Sequence, residues 1–271
     1  MASDEQSHAI AVAQFAPGVD KAANLASIRD LAARAQGRGA SLVVFPEYSS
    51  FFTPELGEWS VAAAEGLDGA FVTGLSSIAK TLGVHLVAGM LETTDDPSRC
   101  SNTLVACSPA GSVVATYRKI HLYDAFGQRE SDWIAPGAIE EPEVFAFGRL
   151  TAGMQTCYDL RFPEVTRRLV DVGADLVLAP SEWVRGPLKE HHWRILVTAR
   201  ALENTVYVAA ADHAPPVGAG NSMIVDPMGV EIATIGETTD VAVAWLSSAR
   251  VAEARATNPA LALRRFGVIA R

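Results

Sequence analysis

Three residues in short, distinctive words are where chemistry would begin. Cys157 lies in Gly153-Met154-Gln155-Thr156-Cys157-Tyr158-Asp159-Leu160-Arg161-Phe162-Pro163-Glu164, where an apolar run ends, a polar turn follows and a helix begins. A thiol at such a turn is expected at the end of a sheet, near a helix N-terminus that stabilises thiolate. A lone cysteine is equally a buried, inert small hydrophobe, and this segment alone leaves both readings open. A cysteine nucleophile needs a base. The histidines, His8, His85, His121, His191, His192 and His213, stand in no pattern of a Cys/His pair, which turns attention to carboxylates and lysines at strand ends. Glu47 directly follows an apolar run in Phe45-Pro46-Glu47-Tyr48, where apolar neighbours would raise its pKa toward that of a general base. Lys119 ends a strand in Tyr117-Arg118-Lys119-Ile120-His121-Leu122-Tyr123-Asp124, where its ammonium could stabilise an oxyanion. Taken singly, a loop glutamate and a solvated lysine are the commoner explanations.

The elements that must position these residues are short apolar strands alternating with helices. Strands are predicted at residues 9–14, 42–45, 84–90, 102–107, 112–118, 144–147, 150–154, 176–179, 206–211, 222–225, 230–235 and 241–246, and helices at 21–36, 71–82, 163–172 and 190–203. Gly148-Arg149 and Asp226-Pro227-Met228-Gly229 read as hairpin turns, and Pro163 as a first-turn helix residue. Segments 93–101 and 213–220 read as loops. Mixed βα units and hairpins imply an α/β fold with helices covering large sheets, and no linker-like stretch divides the chain.

In combination, the three words in this order resemble the nitrilase (carbon–nitrogen hydrolase) superfamily. Phe45-Pro46-Glu47 is similar to its glutamate motif, Arg118-Lys119-Ile120-His121-Leu122-Tyr123-Asp124 to its lysine motif, and Cys157 to Glu164 to its cysteine signature. Further similarity at Ala9 to Gln14, Glu203 to Val208, Asp226 to Gly229 and Asn258-Pro259 extends it over almost the whole chain. The resemblance implies an α-β-β-α sandwich in a single domain spanning residues 1–271, commonly paired into a homodimer, with residues 249–271 as a tail crossing the partner or packing on its own chain. It implies hydrolysis of a small amide to acid and ammonia, without a cofactor, through a thioester on Cys157. Glu47 would serve as the base. Lys119 and the backbone N–H of Tyr158 would hold the oxyanion, and Glu130 would be the family's second glutamate. Tyr48, Tyr158, Trp183 and Arg161 are the implied pocket residues, although Trp183 reads equally as packing and Tyr48 more readily so. The words are similar to those of the omega-amidase and deaminated-glutathione-amidase branches, from which residues 183–189 depart. Arg161, Arg185 and Lys189 are candidate partners for a substrate carboxylate, Arg161 reading also as half of an ion pair with Glu164 or near Glu47. Nitrile or N-carbamoyl hydrolysis would use the same triad, and a non-catalytic scaffold with a redox-sensitive Cys157 is a reading of a different class.

Composition narrows the alternatives. A net charge of -9 over 271 residues opposes nucleic acid as a partner, since phosphate binding needs a basic patch. No apolar run approaches the roughly 20 residues of a membrane helix, and residues 1–6 lack the basic start and apolar core of a secretory signal. Three cysteines do not suggest a disulfide framework, which points to a reducing, cytoplasmic setting. Cys100 and Cys107 lack zinc-like spacing, and the adjacent His191 and His192 point about 100° apart on a helix, so no metal site is expected.

Overall fold

Unbroken apolar runs, rather than alternating ones, mark the strands that cover this protein's centre. The computed structural model describes residues 7–270, leaving the expectation for residues 1–6 outside it. In β1 (His8–Gln14), Ile10 and Val12 face one way while Ala11 and Ala13 face the other, and all four are buried. A strand covered on both faces has no polar side to alternate. After it come β2 (Leu42–Val44), β3 (His85–Thr93), β4 (Cys100–Cys107), β5 (Val113–Arg118), β6 (Val144–Phe147), β7 (Leu150–Met154) and β8 (Leu176–Pro180). The last strands are β9 (Tyr207–Ala211), β10 (Met223–Val225), β11 (Glu231–Thr234) and β12 (Asp240–Leu246). They form two six-stranded sheets, β12-β1-β2-β3-β4-β5 and β11-β10-β9-β8-β7-β6. Each sheet has a parallel centre, β1-β2-β3 and β7-β8-β9, flanked by antiparallel strands.

The sheets face one another across a shared core in which Ile10, Val12, Leu42 and Val44 meet Leu150, Met154, Leu176 and Leu178. Burying each such aliphatic side chain contributes roughly 1.5–3 kcal/mol. The helices are α1 (Lys21–Gly37), α2 (Glu58–Ala62), α3 (Ala70–Leu82), α4 (Pro163–Asp171), α5 (Lys189–Asn204) and α6 (Ser248–Thr257). α1 and α3 cover the outer face of the first sheet through Ile28, Leu31, Phe71 and Leu75. α4 and α5 cover the second through Leu169, Trp193 and Val197. The layers are therefore α-β-β-α.

Several predicted boundaries move once strands pair. β3 and β4 pair out to Thr93 opposite Cys100, which reduces the expected loop at residues 93–101 to residues 94–99. Residues 249–257 of the expected tail belong to α6, capped by the Ser247 side chain, and its Val251 enters the inter-sheet core.

Candidate active site

Several chain segments converge at one end of the paired sheets. Glu47 lies three residues beyond β2, and its turn passes close over Gly89 of β3, where any Cβ would meet the Tyr48 nitrogen at 2.6 Å. Tyr48 adopts a φ of +54°, a left-handed conformation that fixes a sharp exit from the strand. Lys119 directly follows β5. Cys157 follows β7 by a two-residue turn, opens a short 3-10 helix (Cys157–Arg161) and has a φ of +44°. Such backbone strain costs on the order of 1–3 kcal/mol and persists only where the surroundings enforce it. Asp159 supplies the enforcement. Its carboxylate accepts from the Thr156 N–H at 3.0 Å and the Tyr117 hydroxyl at 2.6 Å, and also from the His121 ring Nδ1–H at 2.8 Å. One buried carboxylate thus ties the lysine segment to the cysteine turn.

The charged centre is compact. Lys119 Nζ lies 2.9 Å from Glu47 Oε1 and 2.9 Å from Glu130 Oε2. Glu130, in a 3-10 turn (Glu130–Asp132), also accepts from the Tyr48 hydroxyl at 2.7 Å and the Tyr123 N–H at 2.5 Å. Asn102 of β4 bridges the two glutamates, donating to Glu47 at 2.6 Å and to Glu130 at 3.2 Å. The other Glu47 oxygen accepts from the Glu182 N–H at 2.7 Å, and the Cys157 thiol lies 3.4 Å from the Glu182 carbonyl oxygen. His213, just beyond β9, donates from Nε2 to the Glu47 carbonyl at 2.6 Å. The structure thereby brings Glu47, Lys119 and Glu130 into direct contact.

Electrostatics assign states to these groups. Burial raises the Glu47 pKa, with Glu130 adding to the rise, against the lowering by Lys119 and Asn102. For Lys119, burial favours the neutral amine, yet Glu130 and Glu47 hold its pKa well above the ordinary lysine value. For Glu130, burial is outweighed by Lys119 and by hydrogen bonds from Tyr48 and Tyr123, which leave it lowered. Cys157 corrects a sequence expectation. Burial and the nearby Glu47 raise its pKa well above the usual thiol value, outweighing Lys119, so the resting group is a thiol rather than a helix-stabilised thiolate.

A cavity of about 410 Å³ opens onto this centre, lined by Glu47, Tyr48, Lys119, Glu130, Cys157, Tyr158 and Trp183 among others. Trp183 serves as both wall and packing: its ring lies against Trp193, and its Nε1 donates to the Lys189 carbonyl at 2.8 Å. Arg161 makes no ion pair with Glu164 or near Glu47. Its guanidinium lies over the Trp183 ring at 4.9 Å, with Nε and Nη2 buried and without hydrogen-bond partners. Lys189 lines the same cavity and donates to the Tyr123 hydroxyl at 2.6 Å. Arg185 instead pairs outside it with Glu237 at 2.8 Å. Asn102 and His213 are site residues that sequence reasoning missed, and Glu182 adjoins the expected pocket wall Trp183. Each is a polar residue within or immediately after an apolar strand, and that was the available signal.

Comparison with known proteins shows the family. The family model for carbon–nitrogen hydrolase matches residues 9–256. The chain belongs to the carbon–nitrogen hydrolase family. It is a carbon–nitrogen hydrolase of the amidase class. The deaminated glutathione amidase of Escherichia coli O157:H7 is 38% identical over 257 residues, covering 95% of this chain and 97% of its own. The Caenorhabditis elegans NitFhit protein superposes with a TM-score of 0.86 at 28% identity, over 96% of this chain and 66% of its own. A glutamate-to-glutamine variant of the Nesterenkonia sp. AN1 amidase superposes with a TM-score of 0.80 at 28% identity, over 97% of this chain and 99% of its own. That variant shows covalent addition of the acetamide moiety of fluoroacetamide at its active-site cysteine.

Proposed function

We propose that this enzyme hydrolyses the terminal amide of a small molecule whose far end carries a carboxylate, with Cys157 as nucleophile and Glu47 as general base. The Cys157 sulfur attacks the amide carbon while its proton passes to Glu47. The developing oxyanion faces Lys119 and the backbone N–H of Tyr158, which lies in the first turn of the 3-10 helix where helix donors lack partners. Collapse breaks the carbon–nitrogen bond. Glu47 returns the proton to nitrogen, and ammonia leaves a thioester. Water then attacks the thioester, giving its proton to Glu47. The second collapse expels the sulfur, which recovers that proton, and the acid departs. Glu130, pinned by the Tyr48 hydroxyl, keeps Lys119 charged and oriented.

The observation that carries the substrate class is Arg161. A half-buried guanidinium with two buried, unpartnered nitrogens, lining the nucleophile's own cavity beside Lys189, is matched by a carboxylate. The name of the E. coli relative, a deaminated glutathione amidase, is consistent with an acidic substrate. Ammonia release from a monoamide of a four- or five-carbon dicarboxylic acid, from the uncharged amide of equal length, from the nitrile and from a carbamoyl amino acid tests this reading. The monoamide is expected to be preferred. Arg161→Ala is expected to remove that preference by roughly 10–100-fold in kcat/KM, the scale of a hydrogen-bonded charge pair. Preference for the nitrile, or an Arg161→Ala enzyme with unchanged preference, would refute it. We further propose a homodimer. The apolar side chains Leu263, Phe266 and Ile269 are 70%, 92% and 87% exposed, more than an isolated chain's packing accounts for.

A further inference from the structure

Glu182 lines the catalytic cavity, and the mechanism above leaves its carboxyl group without a task. Its backbone is engaged, donating to Glu47 and facing the Cys157 thiol, but its side chain is not. Oε1 is buried with no hydrogen-bond partner, although the residue lines the same cavity as Cys157, Arg161 and Lys189. Arg161 lines the same cavity, with its guanidinium 4.9 Å above the ring of Trp183, the next residue along. One cavity therefore holds a guanidinium with two unpartnered nitrogens and an unpartnered carboxyl oxygen, beside the Lys189 ammonium. Leaving such groups unsatisfied is costly, and a ligand that answers both relieves both.

We propose that the Glu182 carboxyl group is a second ligand of the substrate's distal carboxylate, donating a hydrogen bond to it while Arg161 supplies the opposing charge. Glu182 is thus a specificity-determining residue, and the proposal rests on the substrate class argued above.

The surroundings support the donor role. Glu182 is faced by Glu47 beyond β2, Lys119 beyond β5, Tyr123, Glu130, Cys157, Lys189 of α5 and Asp212 beyond β9. Burial, together with Glu47 and Glu130, raises its pKa well above the ordinary glutamate value, against the lowering by Lys119 and Lys189. A protonated carboxyl group donates to a carboxylate, whereas an ionised one repels it. Affinity for the anionic substrate is therefore present at low pH and lost as pH rises through the raised Glu182 pKa.

The test is the ratio of kcat/KM for the dicarboxylic monoamide to that for the uncharged amide of equal length, measured against pH. Both substrates share Cys157, Glu47 and Lys119, so titration of those groups and partial misfolding cancel in the ratio. In the wild type the ratio is expected to fall as pH rises. Glu182→Ala is expected to lower the ratio roughly tenfold at neutral pH, the scale of one hydrogen bond to a charged group. Glu182→Gln keeps a donor and cannot ionise, so it should retain the ratio and flatten its pH dependence. An unchanged ratio in Glu182→Ala overturns the proposal. So does a wild-type alkaline fall in Glu182→Gln, which would belong to Lys189. If Arg161→Ala leaves the ratio unchanged, the substrate class itself is wrong. If it lowers the ratio while both Glu182 variants match the wild type, only the role of Glu182 fails.

Discussion

Gly89 of β3 is expected to be as necessary for catalysis as a residue that touches substrate, although it has no side chain. A Cβ at this position would stand 2.6 Å from the Tyr48 nitrogen and 2.7 Å from the Glu47 Cα, where ordinary contact begins at 3.4 Å. Close-packed interiors absorb little of the difference between 3.4 and 2.6 Å, so the Glu47 turn must retreat by about 0.8 Å. It cannot retreat freely, because the Gly89 N–H donates to the Pro46 carbonyl at 3.1 Å and the Gly89 carbonyl accepts from Ser50 at 3.0 Å. Misplacing a catalytic group by about 1 Å costs roughly 100-fold in rate. Overpacking of this kind costs about 1–3 kcal/mol of stability, and for a chain of this size each kcal/mol lowers Tm by roughly 2–4 °C. Gly89→Ala is therefore expected to lower kcat for ammonia release about 100-fold while remaining folded, with a reduced Tm in thermal denaturation. Gly236→Ala is the matched control, since a Cβ there meets nothing within 4 Å. A Gly89→Ala enzyme with wild-type kcat would refute the close-approach argument.

Three further outcomes are expected. Asn102→Ala removes a hydrogen bond that lowers the Glu47 pKa, so the acid limb of the kcat/KM profile should move to higher pH and kcat should fall; an unmoved acid limb counts against Asn102 as a partner of the base. His213 is buried and its pKa is pushed down from 6.5 to about 4 by burial. The unfolded chain takes up a proton near pH 6.5 that the folded one refuses until about pH 4, so this group's stability contribution is complete above pH 6.5 and falls by about 3 kcal/mol across that window. Urea denaturation should show a smaller loss between pH 7 and pH 5 for His213→Gln than for the wild type, and equal losses would contradict the assignment. Phe266→Asp should shift sedimentation toward the monomer, and an unchanged sedimentation coefficient would remove this tail residue from the interface.

Much of the scaffold was legible in linear order because its cause is local. A strand covered on both faces must be apolar throughout, so β1, β2, β8 and β9 read as unbroken runs; the β6–β7 hairpin was read to its ends because Gly148, with a φ of +60°, marks the turn. Elements stabilised from afar were not legible. The α6 segment reads as part of a tail in linear order, since what holds it is Val251 entering a core built by strands far earlier in the chain. β3 and β4 outrun their predicted ends because pairing carries polar residues such as Glu92 and Ser101 into the sheet.

The site divides in the same way. Glu47, Lys119 and Cys157 stand in motif words at strand ends, so their place in the chain was determined by the sequence itself, as was membership of a family whose model spans residues 9–256. Their charge states were decided by tertiary structure alone. The turn at Cys157 suggested a thiolate, but burial beside Glu47 holds it as a thiol. Arg161 suggested an ion pair, but the fold lays it over Trp183 with two nitrogens unpartnered. A motif fixes which side chain stands at a strand end, whereas burial and the charges brought near it from distant segments set its protonation and its partner.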